Sequence, residues 1–338
     1  CWVMPWDDGV ESDAPEEERD AKVLVKSDGV ATYTAKDIAY QLWKFGLLGL
    51  DFHYRPWHPE VPGSPATTSA SAGGAVLDGA GFGHAARVVN VIDARQAYLQ
   101  QVVRDALDRL GHHEEAERSV HLAYEVVALT PAAARELGVE VADGGPAVVA
   151  LSGRRGIEVR ADDLLDLAVV KLGDKARDAE TARALAAAAV RYYLLKFSLT
   201  QIIAFDFDEA LRVTGDTGVY LQYAHARASG ILRKTEAEAD GPLPVPAGLL
   251  PVERALLHRI EAYPRAVAEA AASLAPVVLA VYAFSLASAF SDFYEHTPPI
   301  VREEDPDLRR FRRALTAATR ATLGDALHTM GMAALDEL

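Results

Sequence analysis

Cysteine is almost absent. The 338 residues contain one, Cys1, so neither an intrachain disulfide nor a cysteine-based zinc site can form, and a reducing, cytoplasmic compartment fits. Basic residues are in the minority, 34 Lys and Arg against 49 Asp and Glu, for a formal charge of −15. That argues against a protein that coats DNA generically, while leaving room for a local basic patch on an acidic body. The histidines and carboxylates show no metal-ligand spacing such as HExxH, and neither a GxSxG elbow nor a GxxxxGK[ST] loop occurs. Residues 1–30 lack the basic flank and apolar run of a signal peptide and are acidic at Glu16, Glu17 and Glu18. The uncharged run 270–290 has about the length of a bilayer span. It is rich in Ala and Ser, contains Pro276 and has no basic flank, so it reads as a buried bundle helix and no membrane partner is expected.

Half the residues are apolar and a quarter charged, which excludes long disordered tails and fibrous repeats. The length suggests about two domains, each able to bury a core without staples. The chain opens on Cys1 with its first methionine at Met4, and residue 1 is expected to lie inside a longer parent.

The first half alternates element types. Residues 22–26 (KVLVK) read as a strand, Ser27-Asp28-Gly29 as a turn, and 35–46 as a helix stopped by Gly46. Residues 56–86, rich in Pro, Gly, Ser and Ala, read as a loop or insertion. A β-rich run at 88–92, a helix over 94–110 closed by Gly111, and a further strand at 121–129 form a βαβ pattern. His112 and His113, followed by Glu114 and Glu115, read as a solvated loop. Beyond about residue 160 the strand signals fade and an all-helical region is expected. Its helices open at Asp162 and Asp163, run over 178–197, 217–234 and 251–262, span 264–296 with a break near Pro276, and end with 306–330, where Asp305 caps and Pro306 takes the first position.

Several clusters are chemically suggestive. Tyr33 and Asp37 share a helix face; a carboxylate beside a phenol suits a guanidinium, although alone the pair reads more simply as a helix cap and a packed ring. Asp93-Ala94-Arg95-Gln96 follows a strand's carboxyl end, where ligands of open α/β sheets sit; taken alone, it reads more simply as a capped helix with solvated side chains. Ser152-Gly153-Arg154-Arg155-Gly156 combines flexible backbone with two cations, suited to phosphates or to a plain surface turn. Arg309, Arg310, Arg312, Arg313 and Arg320 surround Phe311 on one helix, a combination that suits RNA or an amphipathic bundle helix.

The order of these pieces is more specific than any one of them. KSDGVATYTAKDIAYQLWKFGLL (26–48), VVNVIDARQAYLQQVVRDAL (88–107), HLAYEVVAL (121–129), LSGRRGIEVRADDLLD (151–166) and FDFDEALRVTGDTGVYLQYAHARASGILRK (205–234) resemble, in register, signatures of arginyl-tRNA synthetases. The insertion and the IDARQ motif look like the archaeal-type branch. The resemblance implies an α/β region followed by an all-α one: the second half of a class I Rossmann-like catalytic domain with its KMSKS-like loop at 1–170, a helical connector at 171–210, and a DALR-type helical-bundle anticodon-binding domain at 211–338. It implies an arginine–tRNA ligase, activating L-arginine with ATP and Mg²⁺ and charging tRNA(Arg), cytoplasmic, with no DNA partner and monomeric as the full-length parent. By resemblance Tyr33 and Asp37 hold the guanidinium and Gln96 the α-amino end. His121, Glu125 and Val126 lie on the wall beside the adenosine. Gly153 and Gly156 flank Ser152, Arg154 and Arg155 on the pyrophosphate loop, and Arg309, Arg310, Arg312, Arg313 and Tyr294 are tRNA-binding candidates, Tyr294 reading more simply as bundle packing.

Two departures stand out. The loop carries Leu151 and Arg155 where the family usually has Met and Lys. No His-Ile-Gly-His signature precedes Lys26, so the chain is expected to be a C-terminal portion that makes no arginyl-adenylate alone; arginine-dependent ATP–pyrophosphate exchange by it would contradict this. A non-catalytic tRNA-binding or regulatory relative, and one half of a split enzyme, are the alternatives.

Overall fold

The computed structural model describes residues 1–5, 21–58, 60–69, 82–142, 146–150, 159–235, 243–244, 246 and 248–338. The chain divides into two compact units, Cys1–Tyr124 and Glu125–Leu338.

In the first unit, β1 (Trp2–Pro5) pairs antiparallel with β2 (Ala21–Val25). The turn after β2 closes at Gly29, whose φ of 81° places it in the left-handed region, and leads into α1 (Tyr33–Lys44). Gly46 ends α1 as the sequence predicts. Its amide bonds to the Trp43 carbonyl at 2.8 Å and the Leu47 amide to Leu42 at 2.8 Å, the paired bonds of a glycine-terminated helix. The segment expected as a loop, 56–86, begins at the end of β3 (His53–Pro56) and carries β4 (Ala66–Ser69), which pairs antiparallel with it as a hairpin. Then β5 (Val88–Asp93), a 3₁₀ turn (Ala94–Gln96) and α2 (Ala97–Arg109) lead through α3 (His113–Glu117) to β6 (Ser119–Tyr124). β6 runs parallel to β5, so the βαβ unit stands. Ile38, Phe45, Val102, Val103 and Leu107 form its core. His113 begins a short helix rather than a loop, its ring bonded to Asp108 at 2.6 Å.

The run 121–129 breaks in two. β7 (Val127–Leu129) opens the second unit and is followed by α4 (Pro131–Glu136), α5 (Ala161–Leu172) and α6 (Ala179–Leu195). The region after 160 is not wholly helical. β8 (Ile203–Phe205) pairs in parallel with β7, a three-residue strand too short to stand out from the sequence. It is followed by α7 (Phe207–Ala210) and α8 (Gly218–Lys234). The bundle is completed by α9 (Pro251–Glu261), α10 (Tyr263–Ser273), α11 (Pro276–His296), a 3₁₀ turn (Ile300–Arg302) and α12 (Pro306–Thr329). The expected break at Pro276 is real: Leu274 ends α10 with φ of 52° and Pro276 starts α11. Asp305 caps α12, accepting from the Asp307 amide at 2.9 Å.

α6 joins two cores. Leu185, Ala186, Ala189 and Tyr193 pack with Leu129, Leu172 and Phe205, while Ala188 and Tyr192 pack with Leu221, Leu286, Phe290 and Leu327. Gly218 lets α8 start against α6, since a Cβ there would lie 2.4 Å from the Ala188 carbonyl oxygen. Both the 170/171 and 210/211 divisions expected from the sequence therefore fall within one compact unit. α11 is long and apolar enough by composition to cross a membrane, yet Leu279, Ala283, Leu286, Phe290 and Phe293 are buried in the bundle core.

Candidate functional site

The start of α1 is built by Thr32. Its hydroxyl donates to the Leu24 carbonyl at 3.1 Å and accepts from the Ala35 amide at 3.4 Å, fastening the helix to β2 and serving as its cap. The simpler reading of Tyr33 and Asp37 therefore fails: Asp37 is not the cap, and Tyr33 is 86% exposed rather than packed. Both side chains are displayed one turn apart, with Lys36 Nζ 5.4 Å from the Tyr33 ring centre.

The same face continues inward, a feature not picked out in the sequence. Gln41, 2% exposed, donates to the Ser119 hydroxyl at 2.7 Å. Its side-chain carbonyl accepts from Lys44 Nζ at 3.1 Å, and Lys44 also donates to Asn90 Oδ1 at 3.0 Å. Burial lowers the Lys44 pKa, against the opposing field of Asp37. The spacing 33, 37, 41, 44 was a legible signal, because it continues one helical stripe. This polar staple ties α1 to β5 and β6 beneath the exposed pair.

At the end of β5, Asp93 accepts from the Arg95 amide at 2.8 Å and from its guanidinium at 2.8 and 2.7 Å. These bonds hold its pKa down to about 2. Gln96 follows, exposed, with no side-chain cap bond. His121 lies opposite Asn90 across the parallel pair, and its Nε2 donates to the Ile92 carbonyl at 2.9 Å, which leaves Nδ1 as the acceptor in the neutral ring. Glu125 and Val126 belong to the second unit. The Glu125 amide bonds to Leu199 at 2.8 Å and the Val126 carbonyl accepts from Ile203 at 3.2 Å, so their backbones serve pairing. Ser152, Gly153, Arg154, Arg155 and Gly156 lie outside the described residues. Among the described residues no group of three or more His, Cys, Asp or Glu could hold a metal ion.

The bundle carries a cavity of about 330 Å³ between α8, α11 and the segment after α11. Arg227, Ile231 and Lys234 form one side, Phe293 and Tyr294 another, and Pro298–Val301 a third. The Arg227 guanidinium lies 5.0 Å from the Tyr294 ring centre, a cation–π arrangement. Tyr294 is 47% exposed, so its ring is not enclosed in the bundle core.

The arginine-rich helix departs from expectation at Arg312. That residue is 3% exposed, with Nε 2.7 Å from Glu253 and Nη1 2.6 Å from Glu303. It lies on the inward face with Phe311, Leu315, Thr316 and Thr319, a stripe readable from the i, i+3, i+4 spacing of its neighbours, and it is not available to RNA. Arg309 bonds to the Glu303 carbonyl at 2.9 Å. Arg310 and Arg313 are half-buried. Arg320 bonds to Ser229 and Asp336 at 2.8 and 2.9 Å.

Residues 221–338, which carry the cation–aromatic cavity, match the DALR anticodon binding domain. Along nearly its whole length the chain is similar to arginine–tRNA ligases. It is 37% identical over 331 residues to that of Deinococcus radiodurans, covering 92% of this chain and 51% of the relative. It is 35% identical over 338 residues to that of Pyrococcus furiosus, covering 94% and 49%. The fold is similar to that of Thermus thermophilus arginyl-tRNA synthetase, with a TM-score of 0.80, 33% identity, 99% of this chain and 53% of that one. The chain is similar to the arginyl-tRNA synthetases and spans about half the length of the relatives it matches.

Proposed function

We propose that the chain forms the tRNA-docking bundle and part of the activation site of an arginine–tRNA ligase. Exposed Asp37, one turn from Tyr33, offers the substrate guanidinium two acceptor oxygens and an aromatic face; Gln96 takes the α-amino end. His121, Glu125 and Val126 line the adenosine, and Ser152, Arg154 and Arg155, with Gly153 and Gly156, meet the phosphates. In the reaction the arginine carboxylate attacks the α-phosphorus of ATP and expels pyrophosphate, so these groups act by position and charge. Mg²⁺ enters as part of the nucleotide substrate, held by its phosphates. The working protein is a cytoplasmic monomer.

The observation that carries the reading is the Tyr294–Arg227 cavity within the segment that matches an anticodon-binding domain. A guanidinium beside an exposed ring suits an unstacked base next to a phosphate. Arg310 and Arg313, with Arg309, extend the basic surface along α12. Only Leu151 and Arg155 favour the non-catalytic alternative. Titrating the 338-residue chain with tRNA(Arg) tests the proposal: saturable binding that weakens with salt is expected, and its absence would remove it.

A further inference from the structure

We propose that Arg312, although buried away from RNA, governs RNA recognition as a positioning residue by fixing one wall of the Tyr294 cavity. The inference rests on the reading of that cavity as a base-binding pocket. The wall is the segment Pro298–Val301, which passes into the single turn Ile300–Arg302. Directly after it stands Glu303, and every polar group of Glu303 is tied. Its amide bonds to the Ile300 carbonyl at 3.2 Å, its carbonyl accepts from Arg309 Nη1 at 2.9 Å, and its carboxylate meets Arg312 Nη1 at 2.6 Å.

Arg312 is itself immobilised. Glu253 Oε1 lies 2.7 Å from its Nε, while Glu253 Oε2 accepts from the Leu250 amide at 2.8 Å at the start of α9. Glu253 is 1% exposed. At such depth the attraction is little screened and the geometry of the charged bonds is sharply defined. One relay thus runs from the cap of α9 through the guanidinium on α12 to the turn that walls the cavity. A bridging guanidinium serves here because its planar fork presents Nε and Nη1 to the two carboxylates in fixed directions, whereas an ammonium is a single point charge on a flexible stem. A wall that slackens leaves a gap beside a bound base, and a gap of about 0.5–1 Å forfeits roughly a quarter to a half of each dispersion contact.

The test measures the affinity of the 338-residue chain for two RNAs, the anticodon stem-loop of tRNA(Arg) and the same stem-loop with abasic anticodon nucleotides. Wild type is expected to prefer the intact loop. Glu303→Ala cuts the relay on the wall side and leaves the Arg312–Glu253 pair in place. It should lose about tenfold in affinity for the intact loop, within the range of one base stack, and keep its affinity for the abasic one. Glu303→Gln, which still accepts a hydrogen bond, should restore most of the preference. Arg312→Lys should lose it, providing a second variant independent of Glu303. A role in stability alone would weaken both RNAs alike. That result, or an unchanged preference in Glu303→Ala and Arg312→Lys, overturns the inference. A wild type with no preference overturns the pocket reading and this inference together, whereas a wild type whose preference falls in Tyr294→Ala but not in Glu303→Ala overturns the inference alone.

Discussion

The first turns of α1 and α12 carry the same kind of clue, polar or charged side chains at helical spacing, and the fold uses them in opposite ways. On α1 the clue faces outward: Tyr33 and Asp37 are exposed. The deeper members of the same stripe, Gln41 and Lys44, are turned into a polar staple on β5 and β6. On α12 the central arginine faces inward and is held between two carboxylates. The type of side chain does not decide which face it takes. Its apolar neighbours do: Arg312 shares a stripe with Phe311 and Leu315 and is drawn in with them, while Tyr33 sits at the first position of α1, beyond the core-facing Ile38.

The largest effect that sharpens this contrast is on stability. Arg312→Ala leaves Glu253 and Glu303 without their shared cation, and the second unit should lose about 3–5 kcal/mol, the usual cost of breaking a buried pair. Denaturant unfolding measures it, and a loss below about 1 kcal/mol would mean that the pair behaves as a surface bridge. Tyr294→Ala should cost about 1–3 kcal/mol in binding tRNA(Arg), the range of one aromatic–base stack, with little change in unfolding midpoint. Filter binding at several salt concentrations separates this from a phosphate contact, since loss of a ring leaves the salt slope intact.

Within α1 the two halves of the stripe should separate. Gln41→Ala strands a buried Ser119 hydroxyl and a Lys44 bond and should cost about 1–3 kcal/mol. Asp37→Ala, at an exposed position, should stay within about 0.5 kcal/mol. Equal costs for the two would erase the distinction between display and staple. The smallest effect is a pH dependence in the bundle. Burial lowers the pKa of His225, against the Leu335 carbonyl at 2.9 Å and Asp336, with Arg320 and His328 adding to the lowering. The folded state therefore prefers the neutral ring. As pH falls below the ordinary histidine value of about 6.5, the unfolded chain takes up the proton first and stability declines. His225→Asn should flatten that decline, and an unchanged slope would contradict the assignment.

Much of this was legible in the sequence because it is local. Gly46 and Gly111 stop α1 and α2, Asp305 and Pro306 start α12, and the order of β5, α2 and β6 follows from composition over short windows. The features that escaped are those decided by distant partners. β8 is three residues long and exists through pairing with β7, some 76 residues earlier (203 less 127). The break between β6 and β7 falls at Glu125 and Val126, where one charged residue is too small a change of composition to end a strand reading. The Gln41–Ser119 bond joins residues 78 apart, and the Arg312–Glu253 pair joins α12 to the cap of α9. At the candidate site, the types of Tyr33, Asp37 and Gln96 were readable. That Thr32 takes the capping role, and so leaves Asp37 displayed, needed the geometry of the β2–α1 junction.

The most direct measurement is a comparison of affinities at one fixed salt concentration: the 338-residue chain with the anticodon stem-loop of tRNA(Arg) and with the same stem-loop made abasic at the anticodon, for wild type and for Tyr294→Ala. The account predicts a preference for the intact loop of about tenfold or more in wild type, as one well-stacked base would supply, and its collapse in the variant. Equal binding of the two loops by wild type, or a preference that survives in Tyr294→Ala, would contradict it.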